Sequence, residues 1–362
     1  MADHHVLQVG VLFLFSIFMF SDAGRVPGIY VFGDSLVDVG NNNYLKFSFA
    51  KANFPHNGID FPTGKPTGRF GNGKNAADLL AESVGLPTAP PFLSLVSKKN
   101  HAQFQTGVNF GSGASGIISQ ENNIIQKLQS ISLPKQVDFF LSVNSDLKKK
   151  LGAIGAQKHL SKSLFVVESG SNDIYSYFEP SDNSQNKTTP QQYINLMALT
   201  FKKQIKRLYN VGASKFVIVG IGLVGCTPAE RNGNKAGNCN EEINNLSVKY
   251  NGVLISILKA LKSELKNINY SYFDGYSAMD NIIRKPAAYG FTEVKAACCG
   301  LGNLNADAPC LPFSTYCSNR SNHLFWDRSH PTEAAHRIFV DYIFDGPSLY
   351  TFPLNVRKLI AI

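Results

Sequence analysis

Five short apolar segments recur along the chain, and each runs into a polar or glycine-rich turn and then into a stretch with helical spacing. They are Ile29 to Phe32, Val108 to Phe110, Leu164 to Val167, Phe216 to Val219 and Tyr270 to Phe273. Repeated strand, turn and helix predict an α/β fold: a parallel sheet with helices on both faces. The clearest helix opens at Thr189-Pro190, a capping residue followed by proline at the first helical position. It continues through Tyr193, Leu196, Met197, Ile205 and Leu208 and ends at Gly212. With 362 residues, 44% hydrophobic and 17% charged, the chain has apolar material for one large core. No repeat of fixed period and no Pro/Gly/Ser-rich linker divides it, so residues 24–362 read as a single domain.

The first residues have the form of a signal peptide. An apolar run from Val11 to Phe20 is followed by Ser21, Asp22, Ala23 and Gly24. A membrane span needs about 20 apolar residues, so this run is too short for one, and residues 1–23 are expected to be a leader of an exported protein. The six cysteines, Cys226, Cys239, Cys298, Cys299, Cys310 and Cys317, are even in number, which in an exported chain points to disulfides. No pair has C-x-x-C spacing and two are adjacent, which disfavours a tetrahedral metal site, and no metal is expected. Pairs closing short loops, Cys226 with Cys239 and Cys310 with Cys317, are the expected connections. Four N-x-S/T triplets, at Asn186, Asn245, Asn269 and Asn319, mark candidate glycosylation sites. The net charge of +9 is scattered apart from Lys148 to Lys150, and no nucleic-acid motif accompanies it. It is compatible with retention on an acidic extracellular matrix, and nucleic acid is not an expected partner.

In an open parallel sheet, ligands sit outside the carboxyl ends of the strands, so chemistry belongs in the turns just beyond them. The first strand ends in Phe32-Gly33-Asp34-Ser35-Leu36, which places a serine hydroxyl there. Taken alone, such a serine is more often a helix cap than a nucleophile. A catalytic serine requires a histidine to take its proton and an acid to orient that histidine. His4 and His5 lie in the leader. His56, His101 and His159 sit in loop-like polar surroundings without an arranged acid, and His323 and His336 also lack one. In Trp326-Asp327-Arg328-Ser329-His330-Pro331, however, an acid precedes the histidine by three residues, close enough to hold one ring nitrogen. Alone, that pattern too is more often a helix cap beside a surface histidine. Ester cleavage further needs donors aimed at a developing oxyanion. The third strand runs into Gly170-Ser171-Asn172-Asp173, whose Asn172 has a side-chain amide. The second runs into Gly111-Ser112-Gly113-Ala114-Ser115-Gly116, whose small residues let a backbone N–H approach a substrate.

The second of these turns is formally G-x-G-x-x-G, as is Gly220-Ile221-Gly222-Leu223-Val224-Gly225 after the fourth strand. A dinucleotide site would place that fingerprint after the first strand of the fold, so no nucleotide cofactor is expected.

Several stretches, in this order and spacing, resemble the plant GDSL esterase/lipase family of the SGNH hydrolase superfamily. They are Phe32-Gly33-Asp34-Ser35-Leu36-Val37-Asp38-Val39-Gly40-Asn41-Asn42-Asn43, Pro66-Thr67-Gly68-Arg69-Phe70, Gly107-Val108-Asn109-Phe110, Gly170-Ser171-Asn172-Asp173, Gly225-Cys226-Thr227-Pro228 and Trp326 to Pro331. The resemblance spans essentially the whole chain after the leader. It implies a three-layer α/β/α sandwich around a five-stranded, mostly parallel sheet of flavodoxin-like type. It also implies Ser35 as nucleophile, His330 as base and Asp327 as its partner, with an oxyanion hole from the Ser35 N–H, a glycine N–H and Asn172. Many relatives have two adjacent glycines where Gly113 is followed by Ala114. Gly113 is therefore the expected donor, with the Ala114 N–H as the alternative. The activity so implied is hydrolysis of carboxylic esters through an acyl-serine, without a cofactor. Acyl transfer to an alcohol and a silent binding protein are the competing functions. The ester itself is left open among polysaccharide acetate, wall lipid and small phenolic esters. Phe70, Phe291 and Phe313 are candidates for an acyl pocket, although phenylalanine is common enough in this chain that core positions are the simpler expectation.

Overall fold

A computed structural model describes residues 26–118, 129–179 and 188–362. The expected leader and Asn186 lie outside these residues. The five anticipated strands are present as β1 (Ile29–Gly33), β2 (Gly107–Asn109), β3 (Leu164–Glu168), β4 (Lys215–Val219) and β5 (Asn269–Phe273). All pair in parallel in the order 2-1-3-4-5, and a sixth, antiparallel strand, Thr351–Pro353, closes the sheet beside β5. That edge strand lies beyond the five expected. It is three residues long and ends in proline, too short for strand alternation to show in the sequence.

Alternation along each strand sorts side chains to two faces. Tyr30, Phe32, Phe165, Val167, Phe216 and Ile218 point to one face, where they pack with residues of the helices Leu133–Lys162, Pro190–Tyr209 and Glu241–Glu264. Ile29, Val31, Leu164, Val166 and Val217 point to the other, against the helices Ala76–Ser83, Glu333–Asp345 and Val356–Ile360. Both faces are apolar because both are covered, which gives the three layers. Thr189 caps the second of these helices as expected, its hydroxyl accepting the Gln192 N–H while the Gln192 side chain accepts the Thr189 N–H. The helix ends at Tyr209, three residues before Gly212, because the chain already turns at Asn210. The helix Leu133–Lys162 is interrupted at Gly152, whose φ of 74° no helical residue adopts.

The cysteines pair as Cys226–Cys239, Cys298–Cys317 and Cys299–Cys310. The first agrees with the short-loop expectation. Cys310 with Cys317 does not form, because Cys299–Gly300 pairs antiparallel with Thr315–Tyr316 and sets each cysteine opposite a different partner. The segment Cys298 to Asn322 is thus a long, irregular excursion held by two disulfides. Of the described sequons, Asn245 and Asn319 are exposed and Asn269 is half-buried at the start of β5. Among the described residues no helix is long and apolar enough to cross a membrane.

Candidate active site

The strand order reverses at β1, which has β2 on one side and β3 on the other. Such a reversal opens a crevice at the carboxyl ends of the two central strands. Ser35 stands there, two residues beyond β1. The turn that carries it depends on Gly33, whose φ is 154° and where an added Cβ would lie 2.0 Å from the Glu168 carbonyl oxygen. Only glycine permits β1 and β3 to approach so closely at this point.

The loop before the helix Glu333–Asp345 brings His330 to the same place. His330 Nε2 lies 2.8 Å from Ser35 Oγ, and its Nδ1 lies 2.8 Å from both carboxylate oxygens of Asp327. Asp327 Oδ1 also accepts the backbone N–H groups of Ser329 and His330, which locks the carboxylate in place. Burial alone would lower the His330 pKa. The Asp327 charge, its hydrogen bond and the charge of Asp34 outweigh that and hold the imidazole above the ordinary histidine value. Burial would likewise raise Asp327, but His330 and the two N–H donors keep it below the usual carboxylate range. Ser35, Asp327 and His330 are therefore brought together by the fold.

The excursion between Cys298 and Asn322 braces this loop. The Cys298 and Cys299 N–H groups donate to the carbonyls of Phe325 and Trp326, and Cys298, Cys299 and Cys310 form one buried cluster with Trp326, just before Asp327. Sequence reasoning gave the cysteines no part in the site. Their adjacency to the Trp-Asp-x-x-His segment is visible only in three dimensions.

The expected oxyanion donors differ in what their N–H groups already hold. The Gly113 N–H donates to Asp38 Oδ2 at 3.1 Å and is already engaged. Ala114, exposed and at a φ of 62°, donates to no protein acceptor among the described residues, and neither does the Ser35 N–H. Asn172 Nδ2 donates to the Ser115 carbonyl at 2.9 Å and to Asp34 Oδ2 at a long 3.3 Å. Its neighbour Asp173 anchors the same turn by accepting the N–H groups of Ile117 and Ile118.

Asp38 has no role in the sequence reading, yet it organises the entrance. Its carboxylate collects the N–H groups of Gly40, Asn41, Asn42 and Gly113, and burial pushes its pKa up to about 6. The Asn41 amide donates to the carbonyls of Asn109 and Gly111, tying the first turn to the second. A usable signal was the run of glycine and amide residues just after Asp38, whose N–H groups need a nearby acceptor.

The Phe70 ring lies tilted against the His330 ring, 5.1 Å between centroids, and an added Cβ at Gly113 would strike its edge. Phe291 is core, and Phe313 is exposed. His101 and His159 also differ from expectation. His101 meets Asp146 at 2.9 Å, an acid far away in sequence, and His159 lies on a helix with its Nε2 3.1 Å from the Tyr30 hydroxyl.

A family model described as GDSL-like Lipase/Acylhydrolase matches residues 29–343. One GDSL esterase/lipase of Arabidopsis thaliana is 50% identical over 344 residues, covering 93% of this chain and 90% of its own. Two others from the same plant are 36% identical, covering 94% and 96% of this chain and 87% and 96% of theirs. Among solved structures, an α/β hydrolase enzyme from the Lake Arreo metagenome superposes with a TM-score of 0.39 at 12% identity. That match covers 87% of this chain and 92% of the other, and is too slight to add to the reading.

Proposed function

Because this chain belongs to the GDSL-like lipase/acylhydrolase family and is thereby a carboxylic ester hydrolase, we propose that Ser35, His330 and Asp327 are its catalytic triad. The observation that carries this reading is the continuous line of contacts from Ser35 Oγ through both ring nitrogens of His330 to the Asp327 carboxylate. Ser35 Oγ attacks the ester carbonyl as His330 Nε2 takes its proton, and Asp327 stabilises the imidazolium. The imidazolium then protonates the leaving alkoxide. Water, deprotonated by the same Nε2, attacks the acyl-serine and frees the acid and Ser35.

The tetrahedral oxyanion needs fixed donors. The Ser35 N–H, the Ala114 N–H and the Asn172 amide fill that role, with Ala114 in place of Gly113 because the Gly113 N–H is held by Asp38. The 3.3 Å bond from Asn172 to Asp34 is the weaker of its two, so that N–H is the one free to turn toward the oxyanion. Phe70, packed on His330, offers an apolar wall for the substrate beside the scissile bond.

The same reading takes the protein to be secreted and glycosylated. The pairing of all six cysteines supports export, since disulfides persist in oxidising compartments. Asn245 and Asn319 are the sequons whose exposure suits a glycan. The net charge of +9 fits retention on an acidic wall matrix.

The test is labelling with a fluorescent serine-reactive phosphonate, followed by mapping of the modified peptide. Modification at Ser35 that vanishes in Ser35→Ala and His330→Ala is expected. Folded protein that is not labelled would overturn the triad and leave a binding role. Competition between water and an alcohol for the acyl group then separates hydrolysis from transfer.

A further inference from the structure

Two buried carboxyl groups touch directly behind the nucleophile turn, and the reaction described above uses neither of them. β1 and β3 pair with Gly33 opposite Glu168, the last residue of β3, and the chain leaves the sheet at Gly33, so that Asp34, the first residue beyond β1, turns its carboxyl to Glu168. Asp34 is 1% exposed and Glu168 6%. Their side chains are hydrogen-bonded to each other, which two ionised carboxylates cannot be, so one proton lies between them.

The surroundings decide where that proton sits. Asp34 Oδ1 accepts the Leu36 N–H at 2.9 Å, and Oδ2 accepts the Asn172 amide at 3.3 Å. His330, which becomes positive during the reaction, feels the Asp34 charge as well. Burial raises the Asp34 carboxyl above its usual range, but each of these neighbours favours its anion. Glu168 accepts only the Asp34 backbone N–H, and its Oε2 is buried without a donor among the described residues. Burial and the neighbouring Asp34 push the Glu168 carboxyl well above its usual range.

We propose that Glu168 is a positioning residue, a neutral acid that donates its proton to Asp34 and so keeps one negative charge, rather than two, at the strand ends beneath Ser35 and Asn172. That single charge holds the Ser35 turn through the Leu36 N–H and faces the imidazolium. A second charge there would oppose the oxyanion, so deprotonation of Glu168 sets an alkaline limb on kcat.

The other titratable groups facing the pair do not account for such a limb. Asp173, on the helix Ser171–Phe178, is pushed up by burial to about 6, and His330 on the C-terminal loop becomes the active base as it loses its proton, which gives an acid limb and not an alkaline one. Burial drives Tyr175, on the same helix as Asp173, far above the alkaline range of interest.

The proposal rests on the triad reading for its kinetic consequence but not for its protonation state, and the experiment separates the two. Infrared difference spectra at neutral pH should show a protonated-carboxyl C=O band that disappears in Glu168→Gln. Kinetics on a p-nitrophenyl ester should show kcat reduced at least tenfold in Glu168→Ala with KM within about twofold. Glu168→Gln keeps a donor toward Asp34 without a titrating proton, so it should restore most of the lost kcat and lack the alkaline limb. Thermal melts confirm that both variants are folded. A C=O band that survives in Glu168→Gln, or an alkaline limb unchanged in that variant, overturns the proposal. If the band behaves as expected while Ser35 resists phosphonate labelling, the carboxyl pair stands and the triad reading fails.

Discussion

Asp327→Asn is the most informative single substitution, because the structure dictates how it fails. In the native loop Asp327 Oδ1 accepts the N–H groups of Ser329 and His330 at 2.8 and 2.9 Å, whereas Oδ2 contacts only His330 Nδ1, at 2.8 Å. An asparagine keeps its carbonyl oxygen where two backbone donors need it, which sets its NH2 group against Nδ1. Two donors cannot face each other, so Nδ1 gives up its proton and Nε2 carries it instead. Nε2 then points an N–H at Ser35 Oγ, 2.8 Å away, and can no longer accept the serine proton. The expected loss is about ten-thousand-fold in kcat, equivalent to ~5.5 kcal/mol of transition-state stabilisation. The backbone contacts survive, so the melting temperature should change little. The pH profile supplies a second readout. In the proposed reaction neutral His330 is the active form, so activity should rise as pH passes upward through its pKa. Asp327 holds that pKa above the ordinary value, against burial that would lower it. Removing the charge therefore shifts the acid limb of the residual activity to lower pH. Steady-state hydrolysis of a p-nitrophenyl ester across pH measures both effects. A kcat within tenfold of wild type, with an unmoved acid limb, would refute the argument.

Asn172→Ala should cost on the order of a hundredfold to a thousandfold in kcat with KM nearly unchanged, since the oxyanion exists only in the transition state; a variant altered in KM alone would remove Asn172 from the oxyanion hole. The double substitution of Cys299→Ser and Cys310→Ser opens a loop of sequence separation 11 that packs on Trp326, and should lower stability by ~2–4 kcal/mol in thermal or denaturant unfolding. Because the same segment braces Asp327, kcat should fall as well, and a variant with native melting temperature and native kcat would show that the excursion does not support the site.

Much of the fold was legible because it is written in short-range patterns. The five parallel strands show as apolar runs followed by turns. The helix at Thr189 shows through its cap and proline, and the Asp327–His330 pair shows because three residues of one loop suffice to bring an acid to a ring nitrogen. Ser35 shows only as a position, just past a strand that had to be glycine-terminated. What could not be read locally was whatever depends on which strands become neighbours. The order 2-1-3-4-5 is selected when apolar residues of both sheet faces are buried under two helix layers at once. That selection brings Ser35 to His330 across 295 positions of sequence. The same packing engages the Gly113 N–H with Asp38 and leaves the Ala114 N–H without an acceptor among the described residues. It pairs Cys299 with Cys310 and Cys298 with Cys317 rather than the nearest cysteines. It also presses Glu168 against Asp34, where burial makes a proton stay. Sequence by itself determined the local geometry of each turn. The assembly of those turns into one site was decided by tertiary burial, which couples residues through space and leaves no fixed spacing along the chain.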